Sequence, residues 1–312
     1  MMVRRTVSIG SSLFMFFLLG FAFESCKSYK EKKDALPDHA DKGSIRVSAD
    51  ETFKPIIDEM VKVYESWHPA TKINVDYKPE AACLQDILVD SVRMVIATRQ
   101  FNEYESDLVA DTFKTELKAM VLAHDAVTVI VNSLDTDTLF TMKDIREVLT
   151  GKFKKNLIPV FDGVKATSTV RFIIDSVLRG DTLTSRAMAA RSSEEVIDYV
   201  SKNRGVIGLI GVSWIGNPED TLHESFLKKV KVARIESTDI PGYYVKAYQA
   251  NIYARRYPMV RDLDYILKEN YNGLGHAFAN FMSGEIGQLI FKRAYLAPAQ
   301  KDFGIGPVRL NE

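Results

Sequence analysis

The sequence predicts an α/β fold built from mostly parallel sheets flanked by helices. Short apolar, β-branched runs alternate along the chain with segments of helical periodicity. Several of those helical segments open at Ser, Thr or Pro, where a helix start is expected. No low-complexity stretch or internal repeat interrupts the alternation. Strand and helix in turn place crossover helices on the faces of a parallel sheet.

The elements follow in order. Ile45-Arg46-Val47 alternates as a strand. Phe53, Ile56, Ile57, Met60, Val61, Tyr64 and Trp67 recur at helical spacing, so a helix runs over 52–68. Strands are expected over Ile73–Tyr77 and Ser91–Thr98, with a helix opening at Pro79 between them. Ala126–Val131 is an apolar strand. Thr141 caps a helix through Leu149, and Gly151 stops it. Thr169–Leu178 is helical by spacing, and Ser192–Asn203 by its cap and Glu195 three residues on. Val206–Ile210 and Tyr243–Tyr253 read as strands, and Met259–Glu269, Leu274–Met282 and Glu285–Tyr295 as helices.

The N-terminus is of another kind. Arg4 and Arg5 precede an apolar run, Val7 to Phe23, which has the parts of a secretory signal over 1–25, with an N-terminal anchor helix as the alternative. Ser25-Cys26 follows it, then a polar stretch. This resembles the processing site of bacterial lipoproteins, although Glu24 stands where that family has a small or apolar residue. The resemblance implies lipid on Cys26, a tether over 26–43, and attachment to a membrane of the cell envelope after export. With Cys26 so used, Cys83 has no disulfide partner. The 41 basic and 41 acidic residues balance, which argues against a nucleic-acid binder. His68, His124 and His276 lack metal-ligand spacing, and no cofactor motif follows the glycines at 205–211.

An ordered set of segments resembles the phosphate-specific substrate-binding proteins of ABC transporters: Ser48–Phe53, Asp125–Asn132, Thr141–Gly151, Gly205–Gly208, Ile252–Pro258, and Phe278–Tyr295 with Gly287-Gln288. The resemblance spans most of the chain beyond the tether. It implies a two-lobed, periplasmic-binding-protein-like fold joined by two crossing hinge strands. Lobe one would hold 44–124 and 245–312, lobe two 125–244, closing over a ligand by hinge bending. It also implies a monomer without cofactor or metal that performs no chemistry, binds inorganic phosphate or a similar oxyanion, and partners an ABC-type permease.

Three strand-to-helix loops suit an anion, which backbone amides, hydroxyls and cations hold. By resemblance, Thr52 and Phe53 contact it from the first; simple capping by Thr52 is the plainer reading. Thr98 and Arg99 form the second, against which stands an ordinary surface arginine. Thr167, Ser168 and Thr169 form the third, again with plain capping as the alternative. The family's arginine falls at Gly163 here, so Arg171, Lys165 or Arg99 must supply the charge, with Arg171 preferred for its planar fork. The family's proton-accepting aspartate is absent from its place, and Glu80 is its proposed substitute. Sulfate or molybdate binding, a phosphate sensor or scavenger, and a surface phosphoester hydrolase are the competing functions. For the last, no nucleophile elbow is visible.

Overall fold

The computed structural model describes residues 36–163, 167–217 and 221–301. The calls on 1–25, on Cys26, on Lys165 and on most of the tether lie outside those residues. Strand β1 (Gly43–Asp50) runs through a 3₁₀ turn (Glu51–Phe53) into helix α1 (Lys54–Trp67). Then come β2 (Thr71–Lys78), α2 (Glu80–Asp86), β3 (Val92–Ala97), α3 (Glu103–Phe113) and the long β4 (Lys118–Asn132). The middle of the chain holds β5 (Leu139–Phe140), α4 (Met142–Thr150), β6 (Ile158–Asp162) and α5 (Ser168–Phe172), which continues as a π-helical turn (Ile173–Leu178). It goes on through β7 (Met188–Ala190), α6 (Ser193–Lys202), β8 (Val206–Gly211) and a 3₁₀ turn (Val212–Trp214). Next are α7 (Thr221–Lys229), β9 (Val230–Val232), β10 (Arg234–Glu236), β11 (Tyr244–Val245) and α8 (Gln249–Tyr253). The chain closes with β12 (Val260–Leu267), α9 (Leu274–Ser283), α10 (Glu285–Arg293) and β13 (Ala297–Pro298).

One sheet runs β2-β1-β3-β12-β4-β8-β6-β7, with β9 and β13 also on β4. The pairs β1–β2, β1–β3, β6–β8 and β6–β7 are parallel, as the alternation requires. Strands β12, β8 and β13 run antiparallel to β4. β4 changes partner part-way: up to Ala126 it pairs with β12, and from Val127 with β8. Its side chains therefore leave one core and enter another. Ile45, Val47, Met94, Leu263 and Phe278 belong to the first core; Val129, Ile145, Phe161, Ile173 and Leu209 belong to the second. Val245, Ala247, Ile252 and Met259 pack with the second core, so the chain returns between Met259 and Leu263.

Local chemistry explains most boundaries. Thr141 Oγ1 accepts from the Asp144 amide at 3.0 Å while the Asp144 carboxylate accepts from the Thr141 amide at 2.8 Å, a reciprocal cap. Gly151, at φ +75°, turns the chain out of α4. Asn102 and Glu105 cap α3 in the same reciprocal way. Two expected elements differ. Tyr243–Tyr253 is a two-residue strand followed by the short helix α8, since Ile252 is buried while Tyr248 and Tyr253 are exposed. Met259–Glu269 is strand β12 and not a helix. Its odd-numbered side chains Arg261, Leu263, Tyr265 and Leu267 share one face, the period-2 pattern of a strand, and β3 and β4 flank it on both sides. The expected α/β fold, sheet flanked by helices with parallel pairs in each half, holds.

Candidate functional site

Two elements from opposite halves of the sheet end against each other. β1 delivers Asp50, whose Oδ1 accepts from the Thr52 amide at 3.0 Å and so caps the turn. The cap is therefore Asp50, which leaves the Thr52 hydroxyl for other partners. Across the junction β6 ends at Asp162, and Gly163 follows at φ +88°. A Cβ there would stand 2.0 Å from Thr167 Cγ2, so a side chain at this position needs a strained backbone and a displaced Thr167. Thr167 caps α5 and is used up locally: its hydroxyl donates to the Asp162 carbonyl at 3.0 Å and accepts from the Val170 amide. Ser168 and Thr169 face inward instead. Thr52 Oγ1 and Ser168 Oγ lie 3.4 Å apart, one from each half.

The cation under these hydroxyls is Arg261. In the β12–β4 ladder Arg261 stands opposite Asp125, and its Nε donates to Asp125 Oδ2 at 2.8 Å. Nη1 donates to Ser168 Oγ at 3.0 Å and Thr169 Oγ1 at 3.4 Å. The guanidinium lies over the Phe53 ring, 5.3 Å from its centroid. Arg261 is 4% exposed, and its Nη2 has no hydrogen-bond partner. Asp50 Oδ2, Asp125 Oδ1 and Asp162 Oδ1 are likewise buried and unpartnered. Burial pushes all three carboxyls up against the pull of Arg261, Asp50 to about 6. One buried cation thus stands among three buried carboxyls and three hydroxyls (Thr52, Ser168, Thr169). Buried polar atoms without partners are rare in native folds, and their clustering here marks a place built for polar contact.

A second constellation lies beside the first. Glu80 Oε1 accepts from the Thr98 amide at 2.8 Å and the Thr98 hydroxyl at 2.6 Å. Arg171, from the other half, donates to both Glu80 oxygens and to Thr98 Oγ1. Burial alone would raise the Glu80 carboxyl, but Arg171 and Thr98 outweigh it and hold it below the usual range. These groups satisfy one another and span the two halves as a clasp. Trp214 adds a further tie, its indole N–H donating to the Thr52 carbonyl at 2.8 Å. A cavity of about 170 Å³ opens next to the hydroxyl cluster, lined by Thr52, Asp162, Thr167 and Trp214 among others. Another cavity, about 420 Å³, lies between α1 and α10 and shares none of the clustered groups.

Residues 36–285 match the model of the PBP superfamily domain. The chain belongs to the PBP superfamily.

None of the curated proteins matches this PBP superfamily chain. Solved structures show its fold. A protein of Clostridium perfringens, described as a phosphate ABC transporter substrate-binding protein with bound phosphate, superposes with TM-score 0.68 at 18% identity, over 82% of this chain and 100% of its own. An ABC-type phosphate transport receptor from Vibrio cholerae gives 0.62 at 16%, over 82% and 100%. The OxyR2 regulatory domain from Vibrio vulnificus gives 0.50 at 10%, over 78% and 97%. The first is described as a substrate-binding protein and the second as a transport receptor. The third is a regulatory domain, so fold alone does not fix the role.

Of the residues singled out in the sequence, the structure gathers Thr52, Phe53, Ser168 and Thr169 around Arg261, with Thr167 behind them as the cap. Glu80, Thr98 and Arg171 gather in the clasp. Arg99 stands apart, in a two-pronged pair with Glu105 at 2.7 and 2.8 Å. Sequence reasoning misses Arg261 because the apolar spacing of its segment also suits a helix. The available signal was alternation: a lone arginine in register with Leu263, Tyr265 and Leu267 points into the core and demands a partner. Among the described residues no group of three metal-binding side chains assembles, and no helix is long and apolar enough to cross a membrane.

Proposed function

We propose that this solute-binding protein holds a tetrahedral oxyanion, phosphate, between two lobes and delivers it to an ABC-type permease. In the same reading it is exported, carries lipid on Cys26 and works as a monomer at the cell envelope. The lobes are 44–124 with the C-terminal part, and 125–244, to which Val245–Met259 adds its buried side chains. The observation that carries the reading is the buried Arg261 guanidinium, with one unpartnered nitrogen, beneath hydroxyls contributed by both halves. A planar fork and converging hydroxyls suit an anion with several acceptor oxygens. The description of the Clostridium perfringens and Vibrio cholerae neighbours as phosphate proteins supports the same ligand.

Arg261, Thr52, Ser168 and Thr169 hold the anion in this account. Glu80, Thr98 and Arg171 close the lobes on it. Asp50, with its carboxyl raised to about 6 and one oxygen without a hydrogen-bond partner, takes the proton-accepting role, since Glu80 is engaged by Arg171 and Thr98. Phosphate keeps a proton to donate to such a carboxylate, whereas sulfate would meet it as like charge. Calorimetry with phosphate, sulfate and molybdate tests the proposal. Sub-millimolar phosphate binding with sulfate weaker is the expected result; phosphate binding no better than millimolar overturns it.

A further inference from the structure

The cavity of about 170 Å³ beside the hydroxyl cluster is larger than one small tetrahedral anion fills. It corresponds to roughly five or six water volumes at about 30 Å³ each, and covalently bonded atoms pack closer than waters do. Its walls have a definite chemistry. Asp162 lines it, is 4% exposed and keeps Oδ1 without a hydrogen-bond partner, while Oδ2 accepts from Ser193 Oγ at 2.8 Å. Glu51 lines it from the other half, half-buried and without a hydrogen-bond or ion-pair partner among the described residues. Its Oε1 stands 3.6 Å from the point a Cβ on Gly163 would occupy, which brings it across to the end of β6. Burial, and after it the charge of Asp162, push the Glu51 carboxyl up.

Arg261 already pulls on Asp162, but among the described residues no cation pairs with Glu51. Lys54 Nζ is committed to Asp58 at 2.9 Å and lies over the Tyr77 ring, and Arg191 is exposed to water. Trp214 supplies an aromatic wall fixed in place by its bond to the Thr52 carbonyl. Two facing carboxylates and an indole are the surroundings a small organic cation prefers.

We infer that, beyond phosphate itself, the site takes phosphoryl compounds with a short cationic substituent, their phosphoryl oxygens on Arg261, Thr52 and Ser168 and their cation between Glu51 and Asp162. The inference rests on the oxyanion reading above. Orthophosphate leaves Glu51 without a cation; an aminoalkyl phosphonate or amino-alcohol phosphate supplies one.

Calorimetry on the lipid-free mature chain with inorganic phosphate, ethylphosphonate and 2-aminoethylphosphonate tests it. The amino compound should bind at least about tenfold tighter than ethylphosphonate, as one charged contact supplies. Glu51→Gln, checked for folding by thermal melting, should narrow that ratio to within about twofold. Equal affinity for the two phosphonates in the unaltered protein overturns the inference while leaving the oxyanion site standing. So does a ratio that Glu51→Gln leaves intact. If none of the three binds, the oxyanion reading fails and takes this one with it.

Discussion

Replacing Arg261 by methionine removes the one cation buried among Asp50, Asp125 and Asp162. The side chain is nearly fully buried and its Nε bonds Asp125 at 2.8 Å. Deleting one partner of a buried pair costs about 3–5 kcal/mol, because the other charge stays behind. In a domain of this size that lowers Tm by roughly 6–20 °C. The loss should depend on pH in a definite direction. Carboxyls whose folded-state pKa is raised cost stability as pH climbs from the unfolded value through the folded one, and losing Arg261 raises them further. The deficit of Arg261→Met is therefore largest near neutral pH and shrinks toward pH about 3, below the unfolded-state value, where the carboxyls are mostly protonated in both states. Urea denaturation followed by circular dichroism at both pH values measures it. A deficit below about 1 kcal/mol at neutral pH, or one that does not change with pH, refutes the reasoning.

Arg171→Gln and Glu80→Gln should couple: a double-mutant cycle on stability gives about 1–3 kcal/mol between them, less than a fully buried pair because Arg171 is partly exposed, and a coupling near zero would dissolve the clasp. Glu80 titrates below its ordinary value, so its contribution to stability is present above the unfolded pKa and lost as pH falls through the folded one; Glu80→Gln should flatten that acid-side loss in a urea-melt series. Asp50→Asn acts with the opposite sign, removing a penalty that grows between pH about 4 and about 6, and should weaken phosphate relative to sulfate in calorimetry. Gly163→Ala places a Cβ 2.0 Å from Thr167 Cγ2 at φ +88°, and should cost more than about 1 kcal/mol of stability by thermal melting.

What local chemistry decides was legible in the sequence. The Thr141 cap, the Gly151 stop and the Ser192 cap each depend on residues within a few positions, and each stands where expected. The hydroxyls of Thr52, Ser168 and Thr169 were legible for the same reason, since a strand-to-helix loop announces itself locally. The charge of the site was not. Arg261 reaches the hydroxyls because β12 lies next to β4 and its register sets Arg261 opposite Asp125. That pairing joins segments far apart in the chain, and periodicity within one segment does not report it. Arg171 and Arg99 were candidates because they neighbour the hydroxyls in sequence; in space Arg171 meets Glu80 and Arg99 meets Glu105. Tyr243–Tyr253 and Met259–Glu269 show the other limit, that short apolar runs suit helix and strand alike until packing chooses.

The most direct test of the account is crystallography with arsenate, a phosphate analogue whose arsenic scatters anomalously. The account predicts one strong anomalous peak with its oxygens in hydrogen-bond reach of Arg261, Thr52 Oγ1 and Ser168 Oγ. A peak elsewhere on the protein with none at Arg261, or no peak at millimolar arsenate, would contradict it.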